Sequence, residues 1–152
     1  MLPAYDELET GPATGDEEYR VAPHNIEAEQ ALLGAILINN DSFDRIASFL
    51  EVAHFYEPLH ARIFEAVSKL ISGGHIATPV TLKSYFDQDE ALQEVGGAQY
   101  LARLAGAATT IINVAEYGRT IYDLAVRRDL IRVGEEIHNR AFDASEIGRA
   151  HV

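Results

Sequence analysis

The chain has 152 residues, 47% of them hydrophobic and 24% charged, which is enough to bury a core within one domain. It contains no cysteine, so disulfides, thiolate metal sites and thiol nucleophiles are excluded. The net charge of −12 and the scarcity of lysine (Lys69 and Lys83) argue against direct binding of nucleic acid, which requires clustered cations. No apolar run is long enough to span a membrane, and no secretory signal is visible.

Residues 1–22 are predicted to form a disordered acidic lead. Six acidic side chains precede the first basic one, Arg20, and scattered prolines and glycines interrupt any periodic pattern. Such a segment buries too little apolar surface to offset the entropy that it would lose on ordering. The folded domain is therefore expected over residues 23–143.

After this lead, apolar spacing and capping signals predict about six helices and no convincing strand. Asn25 is a suitable N-cap for a core helix, in which Gly34 predicts the close approach of another backbone. A short amphipathic helix is predicted over residues 42–50. Further helices should begin at Pro58 and Pro79, because proline suits the first turn of a helix. The expected fold is an all-α, irregular bundle that ends in a long helix.

That long helix is predicted over residues 113–143, which contain no proline and show helical apolar spacing. Its apolar residues form two stripes. The first contains Tyr117, Ile121, Leu124 and Ile131, and the second contains Tyr122, Val126, Leu130, Val133 and Ile137. An ordinary surface helix needs only one apolar face. Two faces predict that one packs on its own domain and that a partner covers the other, although a helix sunk in a single core would also show both.

Two polar patterns also need an interpretation. Arg127, Arg128 and Arg132 lie among acidic side chains, so helix-surface ion pairs are expected rather than a phosphate site. Glu and His recur three residues apart in the pairs 51–54, 57–60 and 135–138. Such pairs hold metal in some helical bundles, so a Glu/His metal-binding bundle is an alternative function. No inward glutamate is apparent to complete that site, and exposed polar residues near helix ends are the preferred interpretation.

The motifs of common catalytic sites are absent. The sequence contains no GxxxxGK[ST] phosphate loop, no GxGxxG, no GxSxG and no HExxH. We therefore expect that this chain has no catalysis and no cofactor of its own.

Five blocks occur along the chain: PHNIEAEQALLGAILINN, HFYEPLHARIFEAVSKL, TPVTLKSYF, EVGGAQYLARL and NVAEYGRTIYDLAVRRDLIRVGEEI. In order and spacing they resemble the N-terminal domain of DnaB-type bacterial replicative helicases, over about residues 20–143. The resemblance implies a globular helical part followed by a helical hairpin. In that family the hairpins pair subunits into dimers, and three dimers form a collar on the hexameric ring.

The resemblance also implies partners. The collar receives the C-terminal domain of a DnaG-type primase, and a helicase loader is a possible further partner. The motor is a separate RecA-like domain that uses ATP and Mg and moves along single-stranded DNA, so DNA is reached through the parent protein. No membrane is involved, and a cytoplasmic location is implied.

Site residues follow from family position and from the stripes. Primase contacts are expected at Tyr100, Ile131 and Ile137, although all three could instead be core or subunit-interface residues. Subunit contacts are expected at Tyr117, Ile121, Tyr122, Val126, Leu130 and Val133.

The end of the sequence departs from the family. Residues 144–152 do not resemble the family's linker, and EIGRAHV resembles the translation of a sequencing-adapter oligonucleotide. We therefore expect that this tail is non-native and that the natural sequence ends near Ser145. A second alternative function is a stand-alone helical adaptor that has lost its motor and regulates helicase or primase.

Overall fold

A computed structural model describes residues 20–108 and 113–143, which are helical with short connections. The α-helices within these ranges are α1 Ile26–Ile38, α2 Pro58–Ser72, α3 Pro79–Phe86, α4 Glu90–Glu94, α5 Ala98–Ala107 and α6 Val114–Phe142. Two short 3₁₀ helices, Asn40–Arg45 and Val52–His54, connect α1 to α2. These ranges contain no strand, and the predicted all-α bundle with a long last helix is confirmed. The predictions for residues 1–19 and 144–152 lie outside the described residues.

Within the described ranges, no helix is both long enough and apolar enough to cross a bilayer.

Only one arm of the implied helical hairpin, α6, falls within the described ranges. The hairpin itself therefore stays a prediction.

Side-chain caps set the starts of the helices. The side chain of Asn25 accepts a hydrogen bond from the Ala28 N–H at the start of α1, and Asn113 does the same for Glu116 at the start of α6. Pro58 and Pro79 occupy the first turns of α2 and α3. The predicted starts of α1, α2, α3 and α6 are confirmed. A cap favours these starts because it satisfies backbone donors that have no partner within the helix.

Helix α1 lies at the centre of the bundle and packs mainly on α5 and α6. Leu32, Leu33 and Ile36 are completely buried. A Cβ atom at Gly34 would fall on the carbonyl oxygen of Leu104 in α5. The predicted close backbone approach at Gly34 is confirmed, and it explains why a residue that weakens helices occupies the core helix.

The prediction of an amphipathic α-helix over residues 42–50 is wrong. A 3₁₀ helix covers Asn40–Arg45 and turns follow it. The side chain of Asn40 donates to the carbonyls of Ile36 and Ala77 at 2.8 Å and accepts from the Ala77 N–H at 2.8 Å. The two bonds to Ala77 join residues 37 positions apart and hold the segment in a tight connection, and a local apolar pattern carries no information about them.

Candidate functional site

The long helix α6 is divided into a packed part and an uncovered part. Its buried residues are Val114, Gly118, Ile121 and Ala125, which share one face at helical spacing. A Cβ atom at Gly118 would lie 2.7 Å from Cγ2 of Ile46 and 3.1 Å from the ring of Phe49. The first half of the helix is thus pressed closely against the globular part.

Arg128 marks the end of the packed part. Its guanidinium donates to the carbonyl oxygens of Pro23 and His54, each at 2.8 Å. It also lies 5.5 Å from the ring centre of Tyr56, which stacks on His24 at 4.1 Å. The prediction of an ion pair for Arg128 is wrong. Its guanidinium N–H groups donate to backbone carbonyls that are far from it in sequence, so the local pattern of charges could not predict them.

Arg132 lies one turn beyond Arg128 and behaves as predicted. Its guanidinium is 3.7 Å from a carboxylate oxygen of Asp129 and 3.4 Å from one of Glu136. Both pairs are exposed and span three or four residues along the helix, so they stabilise it only weakly.

The C-terminal half of α6 is exposed along its whole length. We call residues 129–142 the free arm, because every one of them is exposed to solvent in this chain. The arm is nevertheless rich in large apolar side chains. Leu130 and Ile137 are each 65% exposed, and Ile131 is 47% exposed. Val133 and Phe142 are exposed as well.

Most of these side chains share one face with residues of the packed part. At about 100° per residue, Tyr122, Val126, Leu130, Val133 and Ile137 fall within an arc of about 80°. We call these five residues the apolar face. Its first member is partly covered, since the ring of Tyr122 makes edge contacts with Phe49 at 6.1 Å and His54 at 4.9 Å between centroids.

The first predicted stripe is covered by the globular part over its N-terminal residues. Ile121 is buried in the core and Tyr117 is half-buried against it, so within this chain both belong to the packed part. Ile131 continues the same stripe beyond Arg128, where the globular part no longer covers it. Ile131 lies about 100° around the helix from Leu130 and about 140° from the centre of the apolar face.

Tyr100 lies away from the arm, in a groove of about 380 Å³ between α1 and α5. Gln30 and Glu27 of α1 and Arg103 of α5 provide the polar lining, and Leu104 lies on the apolar floor. Neither Ile131 nor Ile137 lines this groove. Within this chain the structure therefore does not bring the three predicted primase contacts together.

Tyr100 is the outer end of a buried polar network. Glu29 is 2% exposed and His60 is 1% exposed, and His60 Nδ1 lies 2.9 Å from Glu29 Oε1. His60 Nε2 lies 2.6 Å from the hydroxyl of Tyr100. Burial raises the pKa of the Tyr100 phenol, so the hydroxyl keeps its proton.

This network corrects two expectations. His60, of the pair at 57–60, was expected to be an exposed polar residue, and an inward glutamate was not expected at all. The positions carry a recognisable signal, since Glu29 precedes the buried Leu32, Leu33 and Ile36 at spacings of three, four and seven residues. In the ranges that the structure describes, no three metal-binding side chains are grouped.

Comparisons with known proteins agree with one another. A family model described as DnaB-like helicase N terminal domain matches residues 21–123. Among curated relatives, the replicative DNA helicase DnaB of Rickettsia felis is 49% identical over 126 residues, which are 83% of this chain and 26% of the relative. The Treponema pallidum protein of the same name is 36% identical over 129 residues, which are 85% of this chain and 30% of the relative.

The fold is also similar to that of a solved structure. The crystal structure of the N-terminal domain of DnaB helicase from Mycobacterium tuberculosis matches with a TM-score of 0.75 and 28% identity. The match covers 86% of this chain and 96% of that one. Our chain spans about a quarter of the length of the Rickettsia relatives it matches. The family match, the sequence relatives and the shared fold show that the chain belongs to the DnaB-like helicase N-terminal domain family.

Proposed function

We propose that this domain works in DNA replication as the assembly and docking collar of a replicative helicase. Membership of the DnaB N-terminal family supports the proposal, as do curated relatives that are named replicative DNA helicases. The proposal has two parts. The apolar face of α6 pairs subunits, and two separate surfaces, the Tyr100 groove and the exposed Ile131 of the arm, contact a primase.

The proposal of self-association rests on the apolar face of α6, which extends from the packed part onto the free arm. Val126, Leu130, Val133 and Ile137 are spaced four, three and four residues apart, which is the spacing of a coiled-coil seam. A row of large apolar side chains in water marks an interface, because burying it removes apolar area from solvent. A helix of a second copy that lies along this face would bury all four residues.

This interface is narrower than the one expected from the stripes. Ile121 and Tyr117 already pack within the domain, so we leave them out. Tyr122 lies at the base of the face and is partly covered by Phe49 and His54. The proposed subunit interface is therefore centred on Leu130 and Ile137.

We assign docking of the DnaG-type primase C-terminal domain to the remaining surfaces. Ile131 lies about 140° around the helix from the centre of the apolar face, so it stays accessible when a second subunit covers that face. Tyr100 and Arg103 present polar groups beside the apolar floor of the groove. Ile137 shares the face of Leu130, and we expect it to act mainly between subunits.

Other activities belong to the parent protein in this proposal. A RecA-like motor outside the described fold binds ATP and Mg, a loader acts on the hexameric ring, and the whole assembly works on DNA in the cytoplasm. The net charge of −12 agrees with a collar that does not grip DNA itself.

Light scattering of the purified 152-residue chain, alone and with the C-terminal domain of the cognate primase, tests the proposal. We expect a dimer or larger species that binds the primase domain. The double variant Leu130→Asp/Ile137→Asp should become monomeric while its circular dichroism stays helical, because both side chains are exposed in this chain.

Asn139→Asp is the matched control, since it adds a carboxylate to the polar side of the same arm. It should leave the mass unchanged. A wild-type chain that stays monomeric across the accessible concentration range would refute self-association, and so would equal disruption by the control.

A further inference from the structure

The buried carboxylate of Glu29 has a fixed role as an acceptor. Its Oε2 accepts a hydrogen bond from the Tyr56 N–H at 2.8 Å, and its Oε1 accepts one from the Glu57 N–H at 3.3 Å. Backbone N–H groups can only donate, so both oxygens act as acceptors. The contact of 2.9 Å between Oε1 and Nδ1 of His60 is then satisfied when Nδ1 carries a hydrogen.

The hydrogen on Nδ1 determines the role of the other ring nitrogen, Nε2. A neutral imidazole that carries its hydrogen on Nδ1 has an acceptor at Nε2. The Tyr100 oxygen lies 2.6 Å from that atom, so the phenol donates its only hydrogen to His60. Gln30 Nε2 donates to the same phenol oxygen at the longer distance of 3.3 Å. The hydroxyl hydrogen of Tyr100 is therefore directed into the core.

We propose that Glu29 and His60 are positioning residues that hold Tyr100 as a hydrogen-bond acceptor towards the groove. A docking segment must then supply an N–H or O–H donor at this point. The Glu27 carboxylate lines the same groove and favours a cationic donor, such as a lysine or arginine side chain of the primase domain. The inference rests on the proposed docking of primase at this groove, and it adds the chemistry of the contact.

Arg103 does not cancel this preference. Its guanidinium donates to the carbonyl oxygen of Val95 and lies 5.7 Å from the centre of the Tyr100 ring. Its charge is therefore engaged with the domain itself. Gln30 uses one lone pair of the phenol oxygen, so the second lone pair and the Glu27 carboxylate are left as acceptors for a partner.

Nitrogen-15 NMR of the ring of His60 in the intact chain tests the network without a partner. We expect the Nδ1–H tautomer at neutral pH, with Nε2 shifted as an acceptor, and the spectrum of His60→Gln assigns the signals. The Nε2–H tautomer would overturn the proposal, because Tyr100 could not then donate to His60. This measurement is independent of whether primase binds.

Affinity for the primase C-terminal domain tests the consequence. Tyr100→Phe keeps the ring and removes the acceptor, so we expect binding to weaken by about 3- to 10-fold, as for one lost hydrogen bond. His60→Gln should cause a similar loss, and the double variant should lose little more, because both changes remove the same contact. His75→Gln, at an exposed position outside the network, is the control.

The outcomes separate the two proposals. Unchanged affinity of Tyr100→Phe would overturn the acceptor role even if primase binds. A wild-type chain that does not bind primase would refute the proposed docking, while the tautomer of His60 would still decide whether the network is arranged as we infer.

Discussion

The two halves of α6 have similar apolar residues but different environments. In the first half, Ile121 is 2% exposed and Gly118 lies against Ile46 and Phe49. In the second half, Ile137 is 65% exposed, and a Cβ atom at Gly134 would have no atom of the described residues within 4 Å apart from its own helix backbone. The difference shows that an apolar stripe predicts burial of a helix face in some contact. The fold of a single chain buries α6 only as far as Arg128.

Truncation of an isoleucine in each half should give the largest contrast. Ile121→Ala removes buried atoms from a packed core and should lower the free energy of unfolding by about 2–5 kcal/mol. Ile137→Ala should change the unfolding of dilute monomer by less than about 0.5 kcal/mol, because its side chain is exposed. Urea denaturation followed by circular dichroism measures both values. Similar losses in the two variants at low protein concentration would remove the distinction between the halves.

The two glycines of α6 provide the next contrast, with opposite signs. Gly118→Ala would place a Cβ atom 2.7 Å from Ile46 Cγ2, and overpacking of this kind should cost about 1–3 kcal/mol. Gly134→Ala meets no atom within 4 Å and should favour the helix by up to about 1 kcal/mol. Thermal unfolding of the two variants checks the signs, and a stabilised Gly118→Ala would contradict the close packing.

The boundary between the halves is tested at Arg128. Arg128→Gln removes charge-assisted hydrogen bonds to the Pro23 and His54 carbonyls, and the expected loss of stability is about 1–2 kcal/mol. Arg127→Gln is the neighbouring control, since Arg127 is exposed and should tolerate the change within about 0.5 kcal/mol. Hydrogen exchange should also show faster opening at the start of α1 in Arg128→Gln alone. Equal stability of the two variants would mean that Arg128 does not hold the boundary.

The smallest expected effect concerns acid stability. Burial acts to raise the pKa of Asp89, but hydrogen bonds from Arg62 and from the Leu92 N–H outweigh it, and the pKa is lowered from its ordinary value of 3.8. A lowered carboxyl pKa adds stability that is present above the unfolded value and is lost as the pH falls through the folded value. Asp89→Asn keeps a capping side chain, so it should cost only about 0.5–1 kcal/mol at neutral pH.

The difference between wild type and Asp89→Asn should begin to narrow below about pH 4, where the unfolded carboxyl takes up a proton, and it should vanish only when the folded carboxyl is protonated as well. Asp129→Asn on the free arm is the comparison, because the pair of Asp129 with Arg132 is exposed and 3.7 Å long. It should change stability very little at any pH. Urea denaturation at pH 7 and pH 3 measures these differences, and a constant gap for Asp89→Asn would contradict the pairing with Arg62.

Local signals were sufficient for much of the fold. The N-cap Asn25 and the first-turn prolines Pro58 and Pro79 predict helix starts correctly, because both signals act within one turn. Gly34 predicts a close backbone contact, although it does not reveal that the contact is with Leu104. The segment 42–50 was predicted wrongly, because bonds from Asn40 to Ala77 act across 37 residues of sequence.

The site was predictable only in part. The apolar face of α6 is visible in the sequence as a stripe, and the structure adds that Tyr122 is partly covered whereas Leu130 and Ile137 are exposed. The network of Glu29, His60 and Tyr100 was missed, since its members come from three helices. A buried position for Glu29 could have been read from its spacing to Leu32 and Leu33, but its partners could not.

The sequence by itself determined that the chain is helical, where most helices start, and that its last helix has two apolar faces. These properties depend on capping and on spacing within a few turns. Only the tertiary structure decided which face is covered, that coverage ends at Arg128, and that the buried side chains of Glu29 and His60 form a contact chain to Tyr100. Those outcomes depend on contacts between residues far apart in the chain. Local patterns do not distinguish the two apolar faces of the last helix, whereas packing and the pairing of buried polar groups decide which one is covered.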